Sequence, residues 1–232
     1  LKESNLKKDD GLYGDPSDPY GPYASASSSS SRYKSSNFSV FGNLDYLLSA
    51  SLKFSIGLRW EDWEADYSDS LNELFNPADK MSGGKISLIK SMTNETNIYA
   101  SLAKGYKQGG FNLGLGRDAN STNQNLAYDP EFLTNYELGI NTKLLDSKIN
   151  FNGVIFYSYR EDQQVLISTQ TDPSDPNTFS FLTQNAAEGV NHGLEINMDI
   201  DIRESLSAFL NLGMLKTEIK NWQSRQDLDG RA

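Results

Sequence analysis

The sequence predicts an all-β protein, an antiparallel transmembrane β-barrel whose strands are apolar on one face and polar on the other. Three observations carry that expectation. Apolar and polar residues alternate with period two in segment after segment. The alternating segments run to about ten residues, the length a tilted strand needs to cross a bilayer, where soluble sheets use about five or six. The links between them are tight at one end and long at the other, as the two sides of a membrane barrel require.

Residues 1–36 read as a polar extracellular loop, because GLYGDPSDPYGPYASASSSSSR carries Pro, Gly and a serine run without an apolar period. Barrel strands and loops fill 37–222, and 223–232 starts a further loop that is cut short. The first strand sets Phe38, Val40, Leu44, Tyr46 and Leu48 against Asn37, Ser39, Asn43 and Asp45. The second sets Leu52, Phe54, Ile56, Leu58 and Trp60 against Lys53, Ser55, Gly57, Arg59 and Glu61. Ile86, Leu88 and Met92 continue the pattern less cleanly, and Ile98, Ala100, Leu102 and Tyr106 resume it. Tyr136, Leu138, Ile140 and Leu144 come next, then Ile149, Phe151, Ile155, Tyr157 and Tyr159. Leu194, Ile196, Met198 and Ile200 form the seventh apolar face, and Leu206 to Met214 the eighth.

Tight links fall at 49–51, 93–96, 145–147 and 203–205, and long polar loops at 67–82, 108–130 and 168–182. The polar face carries Lys53, Arg59, Arg160, Glu195 and Asp199, so it is wet rather than a packed core. Apolar outside and polar inside describes an outer-membrane barrel. The competing reading is a soluble antiparallel sandwich with one solvated face.

Composition removes several classes. No run of 18 apolar residues exists and mean hydropathy is −0.56, so helical membrane spans are excluded. A net charge of −10 argues against a nucleic-acid partner, which needs clustered Lys and Arg. The chain has no Cys, which removes disulfides, thiolate metal sites and Cys nucleophiles. It starts at Leu1 and stops in RQDLDGRA, so it is expected to be a barrel piece truncated at both ends. Gly114-Leu115-Gly116-Arg117-Asp118-Ala119 fits the spacing of a dinucleotide-binding turn. The following NSTNQNLAYDP has no helical period, so no helix N-terminus is there to meet a pyrophosphate.

YASLAKGYKQGGFN at 99–112, YDPEFLTNYELGINTKLLDSKINFNGVIFYSYREDQQV at 128–165 and NAAEGVNHGLEINM at 185–198 together resemble the barrel of TonB-dependent outer-membrane receptors. FGNLDYLLSASLKFSIGLRWEDWEADY at 41–67 is similar to an earlier hairpin of that barrel, and DLDGR at 227–231 to the segment leading into its last strands. The resemblance implies about eight consecutive strands of a 22-stranded barrel that encloses an N-terminal plug bearing the TonB box. Neither plug nor box is visible in these residues. It further implies active uptake of a scarce solute, most often a ferric siderophore, with vitamins or glycans as less common cargo. The partners it implies are that solute, the TonB complex through the absent plug, and outer-membrane lipid. No cofactor, resident metal or catalytic residue is expected.

Parity places Glu61, Trp63, Lys107, Asn135, Arg160 and Asp162 on the inner wall near the long loops, and Tyr128 in a loop beside them. Arg or Lys there suits an anionic ferric chelate. Pairing among the wall charges is the competing role. Tyr20 and Tyr23 are further loop contacts, while Tyr106, Tyr157 and Tyr159 fit an outward aromatic girdle. His192, the only His, stands without a nucleophile elbow and reads as structural or interfacial near a strand's start. Glu61, Asp62, Glu64 and Asp66 read as a polar shoulder rather than a glycosidase pair. Asp15, Asp18, Asp172 and Asp175 lie in D-P-S-D-P repeats, which turn chemistry explains better than Ca²⁺ binding. A diffusion porin would not need the GYKQGGFN and NYELG segments, and a barrel hydrolase would need a nucleophile beside His192. The membrane reading predicts that the full-length protein resists high-salt extraction and needs detergent. Release by salt alone would return it to the soluble sandwich.

Overall fold

The computed structural model describes residues 2–9, 28–69, 74–112, 127–170, 174 and 179–222. Their ordered elements are all strands: β1 (Lys2–Asp9), β2 (Ser28–Ser49), β3 (Leu52–Asp69), β4 (Leu74–Phe75), β5 (Ala78–Ser91), β6 (Thr96–Lys107), β7 (Gly110–Phe111), β8 (Ala127–Tyr128), β9 (Glu131–Leu144), β10 (Ile149–Gln170), β11 (Phe179–Arg203) and β12 (Leu206–Trp222). One ten-stranded sheet runs β1-β2-β3-β5-β6-β9-β10-β11-β12 with β4 beside β3, and β7 pairs with β8 separately. Among the described residues β12 is paired on one side only. Two compact units can be distinguished, Leu1–Phe38 with Asp62–Lys80 and Ser39–Glu61 with Met81–Ala232.

All eight expected strands are present, in order and antiparallel, as β2, β3, β5, β6, β9, β10, β11 and β12. Each of the four tight links lies between neighbours in that sheet. In the third, Leu145, Asp146 and Ser147 have φ of 53°, 55° and 66°, and the Lys148 N–H closes on the Leu145 carbonyl at 3.1 Å. Three successive side chains in the left-handed region carry a local conformational cost. The long ladders of β9 and β10 on either side hold the turn in place.

The register stacks the apolar side chains into rows across the sheet. Leu88, Ala100, Leu138, Ile155, Leu194 and Met214 are successive partners over six strands. Leu138 is 54% exposed and Met214 62%. Such a row is unstable in water and at home against lipid, where the backbone must find its partners in the ladder. Two residues further along, Ile86, Leu102, Tyr136, Tyr157, His192 and Lys216 form the next row. The Tyr136 and Tyr157 rings lie 6.3 Å apart, and Tyr157 stacks on His192 at 6.3 Å and 21°. Amphipathic rings at one level mark a membrane–water interface. His192 therefore stands on the lipid face, mid-strand in β11 rather than near its start.

The strands outrun their apolar pattern. β10 and β11 continue to Gln170 and from Phe179, well into the expected 168–182 loop, and β3 and β5 shorten the 67–82 loop in the same way. Above the aromatic row both faces meet polar surroundings, so the period disappears while the hydrogen-bond ladder persists. The same reason corrects the reading of 1–36 as loop, because β1 pairs with the start of β2 from Lys2↔Ser35 to Asp9↔Ser28. Residues 10–27 lie outside the described residues.

A bulge also breaks the alternation. On β10 the ladder skips Glu161 and Asp162, and on β11 it skips Glu188 and Ala186. Asp162 has φ 51°. Below the bulge odd-numbered residues of β10 are exposed, such as Ile155 and Tyr157, while above it Leu166 is 70% exposed. Counting by twos therefore fails from Asp162 onward. On the polar face, the Tyr99 ring covers Gly139 directly opposite it, and Phe156 covers Gly193 with ring carbons 2.9 and 3.1 Å from where a Cβ would stand. Leu138→Arg puts a charge in the middle of the apolar row. We expect it to cost about 2–4 kcal/mol, as charges on a lipid face do at mid-depth, measured by urea unfolding of the full-length protein in micelles. A wild-type midpoint would show that this face does not meet lipid.

Candidate functional site

At the long-loop end the separate sequence motifs meet in one network. The Glu131 carboxylate, 9% exposed at the start of β9, takes the Gln164 N–H at 2.9 Å through Oε2. Its Oε1 lies 3.3 Å from Arg160 Nη1. The Gln164 amide donates to the Gln108 and Asp129 carbonyls at 2.8 and 3.1 Å. Asn185 donates through Nδ2 to the Asp129 and Asp162 carbonyls at 2.8 and 2.7 Å, and its Oδ1 takes the Asp129 N–H at 2.7 Å. Asn112 treats Thr183 likewise, donating to its carbonyl at 2.9 Å and accepting its N–H at 2.6 Å. Two side-chain amides thus stand in for backbone at the places where the chain leaves β6 and returns to β9. They satisfy groups that no ladder reaches.

A second network lies lower on the polar face. Glu137 accepts from Ser101 Oγ at 3.1 Å and Asn135 Nδ2 at 2.7 Å, with Lys85 Nζ 3.7 Å away. Ser158 extends it by donating to Asn135 Oδ1 at 2.6 Å. The third centres on Glu61, 7% exposed. Its Oε2 accepts from Arg59 Nε and Nη2 at 2.9 and 2.6 Å and from the Tyr106 hydroxyl at 2.8 Å. Near the tight turns, Asn97, Asn141, Asn152, Asn197 and Asn211 are successive partners across five strands. With Asn150 and Asp199 several of them line a depression of about 550 Å³.

The candidates separate on these facts. Arg160, Glu61 and Asn135 belong to the three networks and hold wall groups in place. Trp63 is 3% exposed, which corrects its place on the open wall: its ring has no surface to offer. Tyr128 lies on β8, with its hydroxyl oxygen 2.6 Å from where a Cβ at Gly110 would stand, so its ring packs on that glycine. Asp162 contributes its backbone carbonyl at the bulge, where inner-wall parity does not apply. Lys107 ends β6 opposite Glu131, exposed and without an ion pair among the described residues. Tyr106 leaves the girdle for Glu61, while Tyr159 hydrogen-bonds Glu188 at 3.0 Å. Glu131, Gln164, Asn112 and Asn185 escaped the parity argument because they act where strands end or bulge. The asparagine row escaped it because it appears only when strands are aligned. Tyr20, Tyr23, Asp15, Asp18, Asp172, Asp175 and the 114–119 glycine motif lie outside the described residues.

A family model of the TonB dependent receptor-like β-barrel matches residues 4–230. The probable TonB-dependent siderophore receptor PiuA of Acinetobacter baumannii is 26% identical over 160 residues, covering 66% of this chain and 20% of its own length. The ferric yersiniabactin uptake receptor FyuA of Yersinia pestis superposes with a TM-score of 0.64 at 19% identity, over 83% of this chain and 28% of its own. The copper transporter OprC superposes with a TM-score of 0.63 at 13% identity, over 90% of this chain and 33% of its own. The chain spans about a fifth of the curated relative's length.

Glu131→Ala removes the acceptors of both Gln164 N–H and Arg160. Leaving a buried donor unpaired costs about 1–3 kcal/mol, and these donors are half-buried, so the unfolding midpoint of the full-length protein should fall by an amount at the lower end of that range. Glu131→Gln keeps an acceptor oxygen and should cost less. Equal midpoints for all three proteins would remove Glu131 from the network's centre.

Proposed function

The chain belongs to the TonB-dependent receptor-like β-barrel family, and we propose on that footing that it is part of an outer-membrane receptor for active uptake of a ferric siderophore. The family's barrel lies in the bacterial outer membrane, which accounts for the exposed apolar rows and the aromatic level above them. Energy for uptake comes, in this reading, from the TonB complex acting through a plug outside these residues. The reading supplies a transporter and no enzyme.

The observation that carries the proposal is the family match across residues 4–230, together with a siderophore receptor as relative. The wall geometry supports it. Arg160, Arg59 and Lys85 are held against carboxylates, whereas Lys107 stands exposed beside the network of the long-loop end. A ferric chelate with outward carboxylate or catecholate oxygens would meet that ammonium first. Other cargo is the second reading, because a copper transporter shares the fold as closely as the yersiniabactin receptor does. Fold similarity leaves the solute open.

The test is growth under iron limitation of a strain whose own copy of the full-length gene is deleted and then restored. Restoration should rescue growth on at least one ferric chelate, and a panel without any rescue would move the reading to vitamin, glycan or other metal cargo. Lys107→Glu should weaken binding of an anionic ferric chelate about tenfold, the size of one charge-assisted contact. Protein abundance should stay unchanged. Titration of the purified receptor measures it, and an unchanged affinity would take Lys107 out of the ligand path.

A further inference from the structure

The tight-turn end of the polar face differs from the rest of the wall in how its polar groups are used. The depression of about 550 Å³ there has six asparagines in its lining, Asn94, Asn97, Asn141, Asn150, Asn152 and Asn197. Its charges lie at the turn-side edge, where Lys143 is the one cation against the carboxylates of Glu95 and Asp199. Ser91 Oγ donates to Asn97 Oδ1 at 2.7 Å. Asn141, Asn152 and Asn197 are exposed, and among the described residues their side chains make no hydrogen bond. Higher on the same wall, Glu61, Glu131 and Glu137 each collect several donors. The ladder holds Asn97, Asn141, Asn152, Asn197 and Asn211 side by side, about 4.8 Å from strand to strand. Each amide offers N–H donors and a carbonyl acceptor without a charge.

We propose that this asparagine row is an exit subsite for an anionic ferric chelate, which exchanges hydrogen bonds with the amides as it leaves the long-loop end. The inference rests on the ferric chelate reading above. Short turns mark the periplasmic side of such a barrel, so the row stands at the mouth where cargo departs. Capture and release need different bonds. A lysine such as Lys107 makes charge-assisted bonds to an anion, about twice as strong as neutral ones. Amide N–H groups satisfy the same carboxylate or catecholate oxygens more weakly, and the amide carbonyls accept from N–H or O–H groups of the organic shell. With one cation against two carboxylates, the depression does not retain an anion. The regular spacing supplies the next amide as the last one is given up, so the chelate is never left without partners.

The experiment makes two measurements on cells carrying the full-length receptor: capture affinity in de-energised cells and initial uptake rate in energised ones. The probes are a ferric tris-catecholate and a ferric hydroxycarboxylate, both labelled with radioactive iron. Asn141→Asp combined with Asn152→Asp sets carboxylates in the row and should lower the uptake rate about tenfold, the loss of a pair of neutral hydrogen bonds, at wild-type capture affinity. Asn141→Ser combined with Asn152→Ser keeps a neutral donor and acceptor at each place and should recover most of the rate. Both positions are exposed on a wet wall, so polar exchange leaves the ladder intact. Sensitivity to an antibiotic too large for porins reports whether the plug is seated, and it should stay at the wild-type level. An unchanged rate in the aspartate variant, a loss of capture affinity that matches the loss of rate, or an equal fall in the serine variant would each overturn the proposal. Antibiotic entry in the aspartate variant would overturn it too, by making the row a seat for the plug. Failure of wild type to take up either probe would overturn the receptor reading for anionic chelates, and this inference with it.

Discussion

Lipid offers a backbone no hydrogen bonds, and the rest of this structure depends on how the chain meets that demand. From β5 to β12 every consecutive pair of long strands is antiparallel, and the register is broken only by the bulges of the β10–β11 and β11–β12 ladders. Once the ladder fixes the register, side chains lose their independence. Leu138 must lie between Ala100 and Ile155, and Glu137 between Ser101 and Phe156. Lipid selects one face of each row and water the other. A slip of one residue would exchange the two faces of a strand at once.

The polar face shows how a wet wall keeps its charges. Glu61, Glu131 and Glu137 each gather several donors, and the cations nearest them are thereby held. A carboxylate with several donors around it leaves little of its charge to act on a passing solute. The wall is therefore mostly self-satisfied, and Lys107 is set apart by having no ion pair among the described residues. The motifs that mark the family have a structural meaning in the same place. GYKQGGFN, YDPE, REDQQ and the NAA segment fasten the chain leaving β6 and entering β9 to β10 and β11 through Gln108, Asn112, Asp129, Glu131, Gln164 and Asn185. These residue types recur because amides and carboxylates can replace backbone partners where regular pairing stops.

The fold was legible because lipid imposes a period of two on every strand it touches. Phe38 to Leu48 and Leu194 to Ile200 announce their strands without any knowledge of neighbours. The same signal fell silent above the aromatic level, so the upper parts of β3, β10 and β11 read as loop. Of the site, the charged positions near the rim were legible, because a charge on an amphipathic strand points to its wet face. Trp63 and Asp162 were misplaced for a different reason: burial and a bulge are properties of what surrounds a residue.

The sequence by itself determined the strand faces, the four tight turns, the membrane setting and the family, since each is written in local period and motif. Only the tertiary structure decided which polar groups meet. Glu131 finds Arg160 across 29 positions, Asn112 finds Thr183 across 71, and five asparagines from five strands share one level. Those partnerships arise from strand pairing at large sequence separation, and no local period encodes a distance of that kind.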